Sequence, residues 1–484
     1  MRNKSIKINA TLNVIKTLMS VFFPLITYPY ILHVLDTDGV GKVSYISSIV
    51  SYFTMIAMLG ISTYAVREGS KVRDDKEAFS KLVSQIFSIN IFSTVLSCIL
   101  LTVSVFCINK FSEYKILFLI LGFSIVFQVF SIDWVNTIFE DFAFITIRTI
   151  IIYIINLVLV FLLIKKPEDY LVYAILTVLP SGIVCLLNWY YCKRYVNLRF
   201  TRHMCISHHI KPLLILFANT LAVSIYVNFD ITMLGWYKGD YYAGLYSVSA
   251  KMYSIVKASL GAIYAVTVPR LAYFVGENDY PKYKLLYSKT WGILSIILIP
   301  ASVGLICLAD DVVVTFGGVK YVEAADSLRV LSIALIFAIF GGLITACLNV
   351  TIGKEKDNLI ATLISAITNF LLNLFFIPIW GTIGAAITTV ISEFLVLFIC
   401  YISVKDKSKY FDKRIVLTNL GHSLLGTVMI VIFYQLVSPL IEDNIIRLCV
   451  IIPCSILLYG IMLIIIKNEI LLALLKQVFS NLKK

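Results

Sequence analysis

Charge is what this 484-residue chain has least of: Asp, Glu, Lys and Arg together supply 14% of it, and histidine adds five residues. An ordinary soluble domain carries roughly 25% charged and about 45–50% apolar residues. Here 60% are hydrophobic. A globule must still show water a polar skin, so this balance excludes a soluble enzyme, a disordered chain and a nucleic-acid-binding module. Long polar segments are missing as well: outside the apolar stretches none exceeds about twenty residues, which leaves no room for a separate catalytic domain. The ten cysteines form no CxxC pair and lie mostly within apolar stretches, where cysteine acts as a small packing residue, so no structural disulfide is expected. No P-loop occurs, which argues against ATP as the direct energy source.

What the chain does have is apolar length. Fourteen stretches between residues 10 and 466 are long enough to cross a bilayer, at roughly 20 apolar residues per crossing. The expected fold is an all-α membrane protein. Two six-helix lobes, 1–192 and 211–402, would flank a basic cytoplasmic linker at 193–210, with a terminal helix pair and tail at 403–484. The first stretch contains Pro24 and Pro29 and lacks a small-residue cleavage site, so it is read as a kinked span rather than a signal sequence. With the N-terminus placed in the cytoplasm, 28 of the 41 Lys and Arg fall on the cytoplasmic side and 8 on the other. That asymmetry follows the positive-inside rule, puts both termini in the cytoplasm and accounts for the net charge of +13 without nucleic acid.

The lobes carry an internal repeat. A single offset of 203 aligns Gly41 with Gly244, Ser44 with Ser247, Ser51 with Ser254 and Arg67 with Arg270. In each copy a polar turn precedes a glycine, then a serine-bearing helix, then an arginine at the cytoplasmic end.

A charge at bilayer depth costs at least about 2.5–3.5 kcal/mol on insertion scales, so each one demands a reason. Asn9, Asn13, Lys16, Ser20, Pro24 and Thr27 recur at three- and four-residue steps and form one polar helical face. Ser44, Ser48, Ser51 and Met55 form another; Asn219, Tyr226 and Asp230 a third; Ser247, Lys251 and Ser254 a fourth, with Lys257 roughly a third of a turn away. These faces are expected to converge on a wet cavity between the lobes, where Lys16, Lys251 and Lys257 would hold an anion. The competing reading is helix–helix contact for the serines and snorkelling for the lysines. Asp133, Asp230, Glu393 and His422 are the remaining ionisable groups at this depth. Each carboxylate either carries a proton, ligates sodium, or pairs with Arg148 or a lysine.

Three motif-like runs carry no chemistry. Asp36-Thr37-Asp38 has a DxD form but no catalytic domain around it, and His203 to His209 lacks metal-ligand spacing. Gly317-Gly318 is a turn.

Several dispersed blocks carry a resemblance. Pro24 to Tyr30, Gly39-Val40-Gly41, Leu59-Gly60-Ile61 and Arg67-Glu68 come first, followed by Ile132-Asp133-Trp134, Glu140-Asp141 and Ile145 to Arg148. Asn228-Phe229-Asp230, Met233-Leu234-Gly235, Gly244, Tyr246, Lys251, Pro269-Arg270-Leu271, Asn369, Asn373, Pro378, Gly381, Gly384-Ala385-Ala386 and Glu393 complete them. Over about residues 10–400 the chain resembles bacterial polysaccharide flippases of the Wzx type, within the multidrug/oligosaccharidyl-lipid/polysaccharide exporter superfamily. Asp133-Trp134-Val135-Asn136 and the stretch from Lys165 to Tyr173 also look like the teichoic-acid flippase branch. His33 and Asp36 depart from the pattern, standing where the family often has Arg and Gly.

The resemblance implies translocation of an undecaprenyl-pyrophosphate-linked saccharide from the inner to the outer leaflet of a bacterial cytoplasmic membrane, by alternating access. No covalent chemistry and no cofactor are implied, so the chain is not expected to be an enzyme. An H+ or Na+ gradient, with Asp230, Glu393 and Asp133 as coupling candidates, the membrane potential, or downstream consumption of the substrate would drive it. Arg67, Arg270, His33 and Arg148 are expected as gate or head-group contacts, and Arg67 and Arg270 read equally well as topology anchors at the cytoplasmic ends of their helices. Glycosyltransferases and a polymerase of the same pathway are expected partners besides the lipid bilayer and the lipid-linked substrate. Two alternatives stand: a cation-coupled drug antiporter of the same superfamily, and a membrane saccharide polymerase or ligase.

Overall fold

The computed structural model describes residues 6–202 and 204–473, and among them there are helices and no strand. His203 and the side chains of Asn9, Asn13, Asn219 and Tyr226, named above, lie outside the described residues. The chain forms two compact units, Met1–Gly244 and Leu245–Lys484.

The first unit holds α1 (Ile6–Val34), α2 (Thr37–Met58), α3 (Ile61–Lys71), α4 (Lys76–Cys107), α5 (Lys115–Phe130), α6 (Asp133–Ile138), α7 (Phe142–Leu163), α8 (Tyr170–Tyr191) and α9 (Ile206–Tyr237). Helix α10 (Asp240–Gly276) begins in it and runs into the second unit. There follow α11 (Tyr280–Cys307), α12 (Ala309–Gly317), α13 (Ala324–Gly342), α14 (Glu355–Ser403), α15 (Lys407–Tyr410), α16 (Lys413–Val437) and α17 (Asn444–Ile465).

The expected all-α membrane architecture is therefore present. Against the fourteen crossings expected, eleven segments among the described residues are long and apolar enough to cross, and two shorter apolar stretches, Leu18–Val34 and Ile206–Ala218, accompany them. Helix α14 counts once among the eleven but is two helical arms meeting at Gly381, where φ 56° and ψ −127° suit only a residue without a Cβ. The sequence counts these arms as two of its fourteen apolar stretches, 358–377 and 381–402.

Helix α4 shows why such helices form and how they pack. Its Phe92, Leu96, Ile99, Val103 and Phe106, spaced four and three apart, are exposed, whereas Ser88, Asn90, Ser93 and Ser97 are buried. This inverted amphipathicity suits a helix whose solvent is lipid, since small polar residues let helices approach closely. The buried side chains also answer a backbone need. Helix α2 stops at Met58 because Leu59 and Gly60 turn left-handed, so carbonyls of its last turn lack helical partners. Asn90 Nδ2 and Ser93 Oγ donate to one of these, the Ala57 carbonyl, at 2.8 and 2.6 Å, and one turn earlier Ser97 Oγ adds a bond to the Phe53 carbonyl at 2.6 Å. In hydrocarbon an unsatisfied carbonyl would cost several kcal/mol.

Two glycines of the repeat meet within the first unit. A Cβ on Gly41 would run into the Asp240 carbonyl oxygen, and one on Gly244 into the carbonyl oxygen of Thr37. Under the offset of 203, Thr37 corresponds to Asp240 and Gly41 to Gly244. The contact is thus reciprocal: each copy places its glycine on the other's helix start. Contact between backbones leaves no room for a Cβ at either position.

In the second unit, buried side chains fasten the two arms of α14. Thr388 Oγ1 donates to Asn373 Oδ1 at 2.5 Å and Ser365 Oγ to the Ser392 carbonyl at 2.7 Å, while within the first arm Asn373 Nδ2 is braced on Asn369 Oδ1 at 3.1 Å. At the end of this unit that bears α12, Arg447 pairs with the buried Asp311 at 2.7 Å.

Candidate functional site

Among the described residues, two clusters bring together ionisable side chains singled out from the sequence, one in each unit. In the first unit, α6 begins at Asp133 and α7 carries Arg148 one helix later. The guanidinium meets the carboxylate as a fork, Nη1 to Oδ1 at 2.8 Å and Nη2 to Oδ2 at 2.9 Å. Asn188 on α8 completes the cluster, accepting from Arg148 Nη1 at 2.5 Å and donating to Asp133 Oδ1 at 2.8 Å. Asn136 Nδ2 reaches the same Asn188 oxygen at 3.2 Å. The Arg148 side chain is only 3% exposed and lies 5.4 Å over the Phe144 ring. Lys16 on α1 stands within electrostatic reach of Asp133, and Thr146 Oγ1 ties α7 to the Leu12 carbonyl of α1 at 3.1 Å.

In the second unit, α10 presents Tyr253 and Lys257 on one face, four residues apart. Both converge on a single oxygen of Glu393, which lies on the second arm of α14. Lys257 Nζ is 2.5 Å from Glu393 Oε1, and the Tyr253 hydroxyl donates to that oxygen at 2.9 Å. The ammonium also lies 5.4 Å from the centre of the Tyr253 ring. Glu393 is buried, with 7% of its side chain exposed, while Lys257 keeps 37% exposed. Lys251, half-buried, is on the same helix.

Other residues singled out from the sequence sit differently. Arg67, half-exposed, pairs with Glu68 at 2.9 Å, which also takes Lys71 at 2.7 Å. Arg270 is exposed, as is His33, whose Nδ1 is 2.8 Å from the Pro29 carbonyl oxygen. Asp230 is buried on α9 within electrostatic reach of Tyr52; Tyr52 and Ser48 both meet Thr232 Oγ1, at 3.1 and 2.7 Å. The structure thus joins Asp133 with Arg148, and Lys257 with Glu393. It also adds Asn188 and Tyr253, which sequence reasoning missed. Tyr253 had a signal in its four-residue spacing from Lys257; Asn188 had none.

A family model described as polysaccharide biosynthesis protein matches residues 6–275, more than half of the chain. The chain belongs to that family. A second model, for the lipid II flippase MurJ, matches residues 259–452. Among the chain's relatives, a Shigella dysenteriae protein named as an O-antigen transporter is 22% identical over 79% of this chain and 96% of its own length. Among solved structures, the lipid II flippase MurJ in an inward closed conformation superposes with a TM-score of 0.78 at 18% identity, covering 94% of this chain and 98% of that one. An inward-facing multidrug resistance MATE family transporter of the MOP superfamily gives 0.61 at 16% identity, over 81% and 97%. At these identities both share its fold. The expected resemblance to Wzx-type polysaccharide flippases is borne out by the family model and the O-antigen transporter relative.

Proposed function

We propose that this protein is a flippase that carries an undecaprenyl-diphosphate-linked saccharide unit, a precursor of capsule, O-antigen or teichoic acid, from the cytoplasmic to the outer leaflet. The observation that carries the reading is the pair of ammonium groups on α10, Lys251 and Lys257, in a membrane-spanning member of a polysaccharide biosynthesis family. A lipid whose diphosphate and sugars cannot enter hydrocarbon needs a polar path with fixed positive charge, and a lysine at depth costs too much to be kept without use. Lys257, partly exposed, has its head group within reach of a ligand. Lys16 in the first unit is the third cation of the proposed path. The polyprenyl chain stays in lipid while the head group crosses by alternating access, as repeat-built transporters do.

No bond is made or broken in this scheme, so the protein acts as a transporter rather than an enzyme, in the cytoplasmic membrane with both termini inside. The drug-antiporter alternative is disfavoured by the state of the carboxylates: Asp133 and Glu393 each already face a cation, leaving them poorly placed to receive a cationic drug.

The test replaces Lys251 and Lys257 singly with Ala in a strain lacking the native gene. Surface polysaccharide should fall at least about tenfold in each, the cost of losing one desolvated charge contact, while protein level stays normal and the lipid-linked precursor accumulates inside. Unchanged export from both variants would contradict the assignment.

A further inference from the structure

A bare ammonium at bilayer depth would attract any phosphate around it, and membrane phospholipids present phosphodiesters in vast excess over a lipid-linked saccharide. The second unit contains a means of refusing them. Lys257 is not bare: a carboxylate already occupies it. We propose that Glu393 is a specificity-determining counter-ion, which yields Lys257 only to a head group carrying more negative charge than the carboxylate itself. The inference rests on the reading above, that the cargo is a diphosphate-linked lipid.

The geometry fits exchange rather than permanent pairing. Lys257 meets Glu393 through one oxygen at 2.5 Å, not as a fork, and keeps 37% of its side chain exposed. A ligand can therefore approach the ammonium from the side that Glu393 does not cover. Glu393 has somewhere to remain when Lys257 leaves, because the Tyr253 hydroxyl holds the same oxygen at 2.9 Å. A buried carboxylate keeping a charge-assisted hydrogen bond avoids the full penalty of an unpaired ion. A phosphodiester with one negative charge merely equals the resident carboxylate and must also be desolvated, so it gains little. A sugar-linked diphosphate brings two negative charges and more acceptor oxygens. It displaces the carboxylate and engages the ammonium. Selectivity of this kind comes from penalising the wrong ligand as much as from attracting the right one.

The test compares two probes that differ only by one phosphate: undecaprenyl-diphosphoryl-glucose and undecaprenyl-phosphoryl-glucose. Both are titrated onto the purified full-length protein in nanodiscs, and affinities are read by native mass spectrometry. Wild type should favour the diphosphate. Glu393→Gln keeps an oxygen for Tyr253 and Lys257 but removes the charge. It should bind both lipids more tightly, the monophosphate most, so that discrimination falls by about tenfold, one charge contact's worth. Glu393→Asp, which draws the carboxylate back while keeping its charge, should move the ratio the same way by a smaller factor, and it carries the test if the Gln variant aggregates. In a Lys257→Ala background the Gln substitution should leave the ratio alone. A folded E393Q or E393D with wild-type discrimination would overturn the inference and leave the proposed cargo standing. So would an equal change in the Lys257→Ala background. A wild-type protein that binds neither lipid would overturn the proposed function and this inference together.

Discussion

Arg148 and Lys257 both stand within spans and both face a carboxylate, yet their surroundings differ in every respect that matters. Arg148 is almost wholly buried, forked onto Asp133 and braced by Asn188. Lys257 is more than a third exposed and holds one oxygen of Glu393. Arginine's rigid planar fork suits the first arrangement, while lysine's compact ammonium on a flexible stem suits the second. Burial also fixes which group can leave: the buried Arg148 guanidinium would be stranded if it parted from Asp133, itself a third exposed, whereas the partly exposed Lys257 ammonium can change partners. The first pair therefore reads as a fastening between α6, α7 and α8, and the second as a place where a ligand can enter.

The largest effect that tests this contrast is at Asp133. Asp133→Ala strands the Arg148 guanidinium and should cost about 3–5 kcal/mol, seen as a collapse of folded protein in fluorescence-detected size exclusion. Survival of the variant with an unchanged melting temperature would show that the cluster is not the fastening described. Next come the facing glycines. Gly41→Ala and Gly244→Ala each drive a methyl into a carbonyl oxygen and should each lose about 1–3 kcal/mol in thermal unfolding. Similar losses at both positions would support the reciprocal contact, and loss at one alone would break it. Lys257→Ala should cost no more than these, about 1–3 kcal/mol, because Glu393 is left buried without its cation but keeps the Tyr253 hydroxyl. Its larger loss should appear in export. Smallest is Arg67→Ala: its pair with Glu68 is largely in water, so melting should shift by no more than about 0.5 kcal/mol. A marked loss of export there would make Arg67 a contact or gate residue instead of a topology anchor.

Much of the fold was legible because its cause is local. Runs of apolar residues mark the spans, and the step of three and four residues marks their polar faces. The reciprocal glycines were visible as an offset of 203 before any contact was known. Other features were not local. Nothing near Leu59-Gly60 announced that a second helix starts at Ile61, since the apolar run continues through the break. The two arms of α14 were separable in sequence by Pro378 and Gly381, but not the side-chain bonds between them. At the site, pairing of Asp133 with Arg148 was one of the readings open from the sequence, only fifteen residues separating them. Lys257 and Glu393 are 136 residues apart, so only packing of α10 against α14 reveals that a proposed substrate cation and a proposed coupling carboxylate are partners.

The most direct measurement follows a fluorescent undecaprenyl-diphosphate oligosaccharide across the bilayer of proteoliposomes, scoring the fraction accessible to a reagent outside. Wild-type and Arg67→Ala proteins should expose the lipid well beyond the half presented by empty vesicles at the start, and Lys257→Ala should not. Equal exposure by wild type and Lys257→Ala, or none above empty vesicles by wild type, would contradict the account.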